Sequence, residues 1–312
     1  MQQVTIEDIQ KLHRIESGSH KGQNGRLLLI GGSELFHAAS LWSLTVASRI
    51  VDLVHYCSTD ENNEIVLRAK EEFRNGIVIP RNDIRSYIEE DDAILIGPGM
   101  TRDDETRTLT NTLLKEYPHK QWVIDAGALQ MVDVENIPQR AILTPHQGEF
   151  ESLLSRANGM LTEVGNENLN PPSISISSSP SDQTIKEREV GSNFIPSPSV
   201  SSQLREVSTR LHCIILLKGQ IDVACNEKGE MRIIRGGNAG MTKGGTGDVL
   251  AGLIAALACT NDPFLSTISG SFINKAAGDE LYTTVGPYFN ASDLADQIPR
   301  AMHQIMTNYE LR

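Results

Sequence analysis

The chain has 312 residues, room for one large domain or two small ones. With 39% hydrophobic and 22% charged residues its composition is that of a globular protein, and a formal net charge of −12 argues against nucleic acid as the main partner, because a phosphate backbone needs a basic face. The four cysteines, Cys57, Cys213, Cys225 and Cys259, include no C-x-x-C pair, which argues against a zinc site and reads as reduced thiols in a cytoplasmic protein.

The first residues lack the basic stretch and apolar core of a signal peptide. The longest apolar run, around Val249 to Cys259, is too short to span a bilayer, so no membrane partner is expected. Along the chain, Leu27 to Ile30 predicts a buried strand that ends in Gly31-Gly32-Ser33. A helix is predicted over Ala38 to Arg49. Ala93 to Ile96 predicts a strand ending in Gly97-Pro98-Gly99, and Glu105 to Lys115 a helix. Trp122 to Ile124 leads into Asp125-Ala126-Gly127, and Ala141 to Leu143 into Thr144-Pro145-His146. Short helices are predicted over Glu149 to Leu154 and Gln203 to His212, then a strand over Ile214 to Leu217 that ends in Lys218-Gly219. Strands and helices therefore alternate, which predicts an α/β sandwich around a parallel sheet. In such sheets ligands bind beyond the carboxyl ends of the strands, where all these polar tails would gather. Residues 158–205 break the pattern: eleven serines and five prolines leave little apolar surface to offset ordering, so the segment reads as a disordered surface insertion, with a lid as the alternative.

The stretch Lys243-Gly244-Gly245-Thr246-Gly247-Asp248 carries the most chemistry. It precedes the apolar run Val249 to Ala258, a predicted buried helix, whose first N–H groups and dipole make an anion site that glycines let a phosphate approach. It is not a Walker A loop, because Asp248 stands where that motif needs Lys. A carboxylate beside a phosphate suggests a second task, such as taking a proton from a hydroxyl, against the plainer reading of an N-cap. Asp125 reads as a metal- or phosphate-orienting group or as a helix cap. His146 and Glu149 lie together at a predicted helix start. Glu149 reads either as a helix-terminus charge or as a ligand to hydrated Mg²⁺, and Lys218-Gly219 either as an anion contact or as a turn.

Taken in order, His20-Lys21-Gly22, Gly31-Gly32-Ser33, Gly97-Pro98-Gly99, Asp125-Ala126-Gly127-Ala128-Leu129, Thr144-Pro145-His146 with Gly148-Glu149-Phe150, Leu217-Lys218-Gly219 and Asn238-Ala239 through Asp248 resemble the ADP/ATP-dependent NAD(P)H-hydrate dehydratases of the ribokinase-like superfamily. The resemblance implies a ribokinase-like three-layer α/β/α sandwich with a mostly parallel central sheet, one domain over residues 1–312 with the 158–205 insertion inside it. It also implies a carbon–oxygen lyase that repairs hydrated, redox-dead NADH and NADPH. The new ring hydroxyl is phosphorylated from ADP, or ATP, with Mg²⁺, and phosphate is then eliminated.

By that resemblance Asp248 is the catalytic base, and the loop of Gly245, Thr246 and Gly247 stabilises the phosphoryl group. Ala39, Gly99, His146 and Asp248 match hydrate-binding positions; Lys218, Gly219, Gln220, Ile221, Asp222 and Gly247 match adenine-nucleotide positions. Glu149 is the candidate metal contact, through water. Two departures stand out: Ala38 where the family often has Gly, and Asp222 where it usually has Thr. The resemblance further implies a homotetramer and a separate NAD(P)H-hydrate epimerase. The alternative is a kinase of the same superfamily acting on a vitamin-precursor alcohol.

Overall fold

The computed structural model describes residues 1–69, 75–165 and 197–307. Among these, ten strands form one sheet: β1 (Gln2–Gln3), β2 (Arg26–Ile30), β3 (Leu53–Cys57), β4 (Ile77–Val78), β5 (Ala93–Ile96), β6 (Gln121–Ile124), β7 (Ile142–Leu143), β8 (Ile214–Leu217), β9 (Asp222–Cys225) and β10 (Met231–Ile234). Their spatial order is β1-β10-β9-β8-β7-β6-β5-β2-β3-β4. The described pairs are parallel except those of β9, which runs against β8 and β10. The five strands predicted from apolar runs are present as β2, β5, β6, β7 and β8.

Eleven described helices cover the sheet: α1 (Ile6–Ile9), α2 (His37–Ala47), α3 (Asp60–Ala69), α4 (Ile84–Glu90), α5 (Asp104–Glu116), α6 (Ala126–Met131), α7 (Gln147–Gly165), α8 (Pro198–Arg210), α9 (Thr246–Ala258), α10 (Pro263–Val285) and α11 (Ala291–Thr307). The strands are apolar on both faces because each face has its own core. Leu27, Leu29, Leu95, Val123 and Leu216 face α1, α2, α9, α10 and α11. Their sequence neighbours Leu28, Ile30, Ile96, Ile124 and Ile215 face α4 to α8. Period-two alternation thus holds within unbroken apolar runs. No described helix is long and apolar enough to cross a membrane.

Helices reach into both ends of the segment that composition marks as an insertion. α7 continues to Gly165 and α8 begins at Pro198, so both helices extend into 158–205. Ser197 caps α8 by accepting the Val200 N–H at 3.3 Å, and Pro198 occupies the first turn. Serine and proline, read as signs of disorder, are here the chemistry of a helix start. Residues 166–196, the middle of that segment, lie outside the described residues.

Helix α9 crosses α2 at Gly252, where an added Cβ would lie 2.7 Å from both the Cα and the carbonyl oxygen of Ser43. Backbone is the obstacle, so no side chain can swing aside. Gly252→Ala is therefore expected to destabilise the fold by about 1–3 kcal/mol, the usual range for overpacking, although alanine is the better helix former. Urea unfolding of the two proteins measures it.

Candidate functional site

Each parallel strand releases its following residues at one edge, and close packing there depends on glycine. Gly97, at φ 126°, follows β5 so closely to β6 that a Cβ would lie 1.8 Å from the Asp125 carbonyl oxygen. Gly32 donates its N–H to the Pro98 carbonyl at 2.7 Å. Gly99 sits under the start of α2, where a Cβ would meet the Phe36 carbonyl at 2.3 Å and the Ala39 Cβ at 3.1 Å. The predicted hydrate positions Ala39 and Gly99 are thus brought together. Ala38, the departure beside them, lies half-buried in the first turn of α2.

One turn further along α2, on the same face as Ala39, the Ser43 hydroxyl donates to the Asp248 carbonyl at 2.7 Å. That bond fixes the first turn of α9 against the Ala39 side of the cleft. The cap of α9 is Gly245, at φ 95°, so Asp248 is its third residue and not its N-cap. A Cβ on Gly245 would fall 2.3 Å from the Trp42 ring and 2.7 Å from Ala291. The Thr246 hydroxyl points back into the loop, within hydrogen-bond distance of the Met241 and Lys243 carbonyls (2.8 and 2.9 Å), so this side chain braces the turn. Lys243 donates to the Pro287 and Phe289 carbonyls, clamping the other flank. Among the described residues the Gly245 and Gly247 amides meet no backbone acceptor, so the loop presents free donors in front of a helix N-terminus.

A cluster of charged groups adjoins this turn. Asp125 occupies the cap position of α6, but its buried carboxylate makes no cap hydrogen bond. Its Oδ1 accepts from the Thr144 hydroxyl at 2.7 Å and from Lys218 Nζ at 3.1 Å. Burial pulls the Lys218 ammonium down, yet Asp125, Glu149 and Asp248 together hold its pKa above the ordinary lysine value. The Asp248 carboxyl is pushed up to about 7, first by burial, then by repulsion from Asp125 and, more weakly, Glu149, with Lys218 opposing.

His146 and Lys218 pair across neighbouring chain segments, and the Lys218 N–H donates to the Pro145 carbonyl at 2.9 Å. The His146 ring is 61% exposed, so it lines the open side of the cleft. Glu149, read from the sequence as a helix-terminus charge or a contact to hydrated Mg²⁺, is engaged by the protein itself. Its Oε2 accepts the His146 N–H at 3.0 Å and its Oε1 the Gln130 amide at 2.8 Å, so it braces the Thr144–His146 turn and keeps only its remaining lone pairs for anything else.

Asp222 is also differently placed. It is 4% exposed, and its carboxylate points into the protein. Oδ1 accepts the Gly219 N–H at 2.8 Å and lies 3.3 Å from Lys275 Nζ, and Oδ2 accepts the Ser271 hydroxyl at 2.7 Å. A carboxylate facing a nucleotide phosphate would repel it, but this one is engaged by Gly219, Ser271 and Lys275. Gly219 and Gln220 are left exposed, with Ile221 half-buried behind them. Lys275, which sequence reasoning missed, holds this loop by donating to the carbonyls of Gly219, Gln220 and Gly236, each at 3.2 Å. Its signal is visible in retrospect: α10 has no other charge between Pro263 and Lys275, and a lone lysine flanked by Ile273, Ala276 and Ala277 is a buried lysine that needs partners.

The fold raises the Asp248 carboxyl, so the stability it contributes is present at low pH, where it is protonated, and is lost as pH rises through about 7. Asp248→Asn is neutral throughout. The variant is expected to melt about 6 °C above the parent at pH 8, and the difference should vanish near pH 4. Calorimetric scans of both proteins at the two pH values test this.

Comparison with known proteins identifies the family and the fold. A family model described as NAD(P)H-hydrate dehydratase matches residues 27–171 and 188–300. A bifunctional NAD(P)H-hydrate repair enzyme of Methanocaldococcus jannaschii is 33% identical over 304 residues, 95% of this chain and 51% of that protein. The chain thus spans about half the length of the bifunctional relatives it matches. An ADP-dependent (S)-NAD(P)H-hydrate dehydratase of Enterococcus faecalis is 26% identical over 277 residues, covering 86% of this chain and 81% of that one. The crystal structure of the ADP/ATP-dependent NAD(P)H-hydrate dehydratase of Bacillus subtilis, co-crystallised with ATP and Mg²⁺, superposes with a TM-score of 0.74 at 22% identity, covering 97% of this chain and 98% of that one. The fold is the ribokinase-like sandwich. With its family model matched on both sides of the Ser/Pro-rich segment, the chain belongs to the NAD(P)H-hydrate dehydratase family.

Proposed function

We propose that this protein dehydrates the hydrates of NADH and NADPH, with ADP as the preferred phosphoryl donor and ATP as the second choice. The observation that carries the reading is Asp248. It is a carboxylate in the first turn of α9, beside the free amides of Gly245 and Gly247, with a pKa of about 7. A base poised near the working pH combines a useful ionised fraction with proton affinity.

The hydrate ring would lie over Ala39 and Gly99 with His146 on its open side. The nucleotide would lie along Lys218 to Asp222, reading the backbone of that loop, since the Asp222 carboxylate is turned away. Asp248 takes the proton of the ring hydroxyl as its oxygen bonds to the terminal phosphorus, and the donor's bridging oxygen leaves with the electron pair. The Gly245 and Gly247 amides, with the N-terminus of α9, stabilise the charge on the transferring group; one such donor is worth about 3 kcal/mol in the transition state. Thr246 acts indirectly, by holding the loop. The ring C–O bond then breaks, phosphate keeps the electron pair, the neighbouring ring carbon loses a proton, and the double bond returns.

A magnesium ion fits this corner in one way. Asp125, Glu149 and Asp248 outnumber Lys218, so the corner suits a cation. No group of three His, Cys, Asp or Glu side chains forms a cage among the described residues. The ion would therefore be held by nucleotide phosphates, with Glu149 reaching it through water. When bound, it neutralises phosphate oxygens and keeps the transfer in line. A hydrate epimerase, carried by this or another chain, would supply the epimer that the site accepts, consistent with the bifunctional name of the M. jannaschii relative.

The first test mixes purified protein, NADH hydrate and Mg²⁺ with ADP or ATP and follows the return of reduced-nicotinamide absorbance. Recovery is expected with ADP above ATP. An accumulating phosphorylated alcohol, with no reduced nicotinamide, would instead make the protein a kinase. In an active preparation, kcat/KM should fall on the acid side of pH 7, approaching tenfold per pH unit, because only ionised Asp248 accepts the proton. Asp248→Asn should lower kcat by about 10²-fold or more while nucleotide still binds in a calorimetric titration. A flat profile, or a variant that keeps most of its rate, would remove Asp248 from the role.

A further inference from the structure

The charge cluster assigns a second task to Lys218, beyond contact with the nucleotide. We propose that Lys218 is a positioning residue for Asp248: held by Asp125 against the first turn of α9, its ammonium favours the ionised form of the Asp248 carboxyl, the form that can take the hydroxyl proton. This rests on the dehydratase reading for its catalytic meaning, but the coupling itself is a property of the protein alone.

The geometry supports it in three steps. Lys218 leaves the end of β8 with its side chain only 20% exposed, so its charge is poorly screened. Its Nζ lies 3.1 Å from Asp125 Oδ1, the same oxygen that the Thr144 hydroxyl fixes at 2.7 Å. The ammonium is also against α9, since a Cβ built on Gly247 would sit 3.6 Å from Nζ. Gly247 is the residue before Asp248, so the lysine stands beside the turn that carries the base.

The charged groups that weigh most on Asp248 are Asp125 from the end of β6, Lys218 and, more weakly, Glu149 from the first turn of α7, and Lys218 is the cation among these three. From α2, on the other side, the Ser43 hydroxyl goes to the Asp248 carbonyl and not to its carboxylate. Two carboxylates thus favour the protonated form of Asp248, and one ammonium opposes them. An ammonium has three N–H donors, and one is spent on Asp125. Among the described residues Nζ meets no second acceptor, so the others remain to face the cleft. Asp125 in turn has two functions that pull in opposite directions: it repels Asp248 directly, and it anchors the cation that offsets this repulsion.

The test is a carbon-13 NMR titration of the Asp248 carboxyl, assigned by its loss in Asp248→Asn, in protein free of nucleotide and magnesium. In the parent the midpoint should lie near 7. Lys218→Met should raise it by about 1–2 pH units, the size expected for losing an opposite charge at this range. Lys218→Arg should keep it near the parent value. Asp125→Asn should lower it, because repulsion is lost while the lysine remains; this arm stands even if Lys218→Met fails to fold. A purely structural lysine would leave the midpoint in place or move it the same way in both variants, and either result overturns the proposal. The acid limb of kcat should follow the same shifts. Shifted titrations in a protein without dehydratase activity would overturn the proposed reaction and leave the coupling standing. An unmoved titration in an active enzyme would overturn the coupling alone.

Discussion

Helix α9 has no polar side, and the rest of the molecule is arranged around that fact. From Val249 to Ala258 every residue is buried. Such a helix is stable only if it is covered all round, here by the sheet on one side and by α2, α10 and α11 on the others. Covering it fixes its position, and Gly252 sets how closely α2 approaches. The first turn then has one outlet, the carboxyl edge of the sheet, where Gly245 to Asp248 emerge. Stability and site geometry therefore have the same origin: burial of an apolar cylinder directs its unsatisfied amides at the cleft.

The parts of this arrangement that were legible in the sequence are those set by local pattern. The apolar runs that became β2, β5, β6, β7 and β8 are buried on both faces, so composition alone reveals them. Other elements depend on partners remote in the chain. β3 carries His55 and Tyr56, polar groups that a buried strand tolerates only because His55 meets Asp91 at 2.9 Å and the Tyr56 hydroxyl meets Ser40 at 2.7 Å and Asn62 at 2.6 Å. Helix α10 hides in the sequence because its buried side is built from Ser266, Thr267, Ser269 and Ser271 as much as from apolar residues. Two of these hydroxyls, those of Ser266 and Thr267, donate to carbonyls one turn back, at Asp262 and Pro263, and that of Ser271 donates to Asp222, which makes their burial tolerable and their pattern hard to read.

The candidate site divides in the same way. Glycines at forced positive φ and the Asp248 turn were visible, because backbone geometry restricts residue type. The orientation of carboxylates was not. Asp125 follows a strand, Glu149 lies in the first turn of a helix and Asp222 begins β9, and they face three different surroundings. Asp125 joins Lys218 and Thr144, Glu149 braces a turn through Gln130, and Asp222 faces the interior. Sequence position places a carboxylate at the edge, and only the packed neighbours decide which way it points.

Asp222 and Lys275 lie 53 positions apart in sequence yet bear on one loop. They are 4% and 6% exposed, so neither charge has water to fall back on. Losing one partner of a buried pair strands the other, at a cost of about 3–5 kcal/mol, whereas replacing both by a well-packed neutral pair is often nearly neutral. Mutational paths through either single change are therefore steep, and the path through both is shallow. Positions 222 and 275 therefore form one energetic unit, and a substitution at either has to be judged with the other in view.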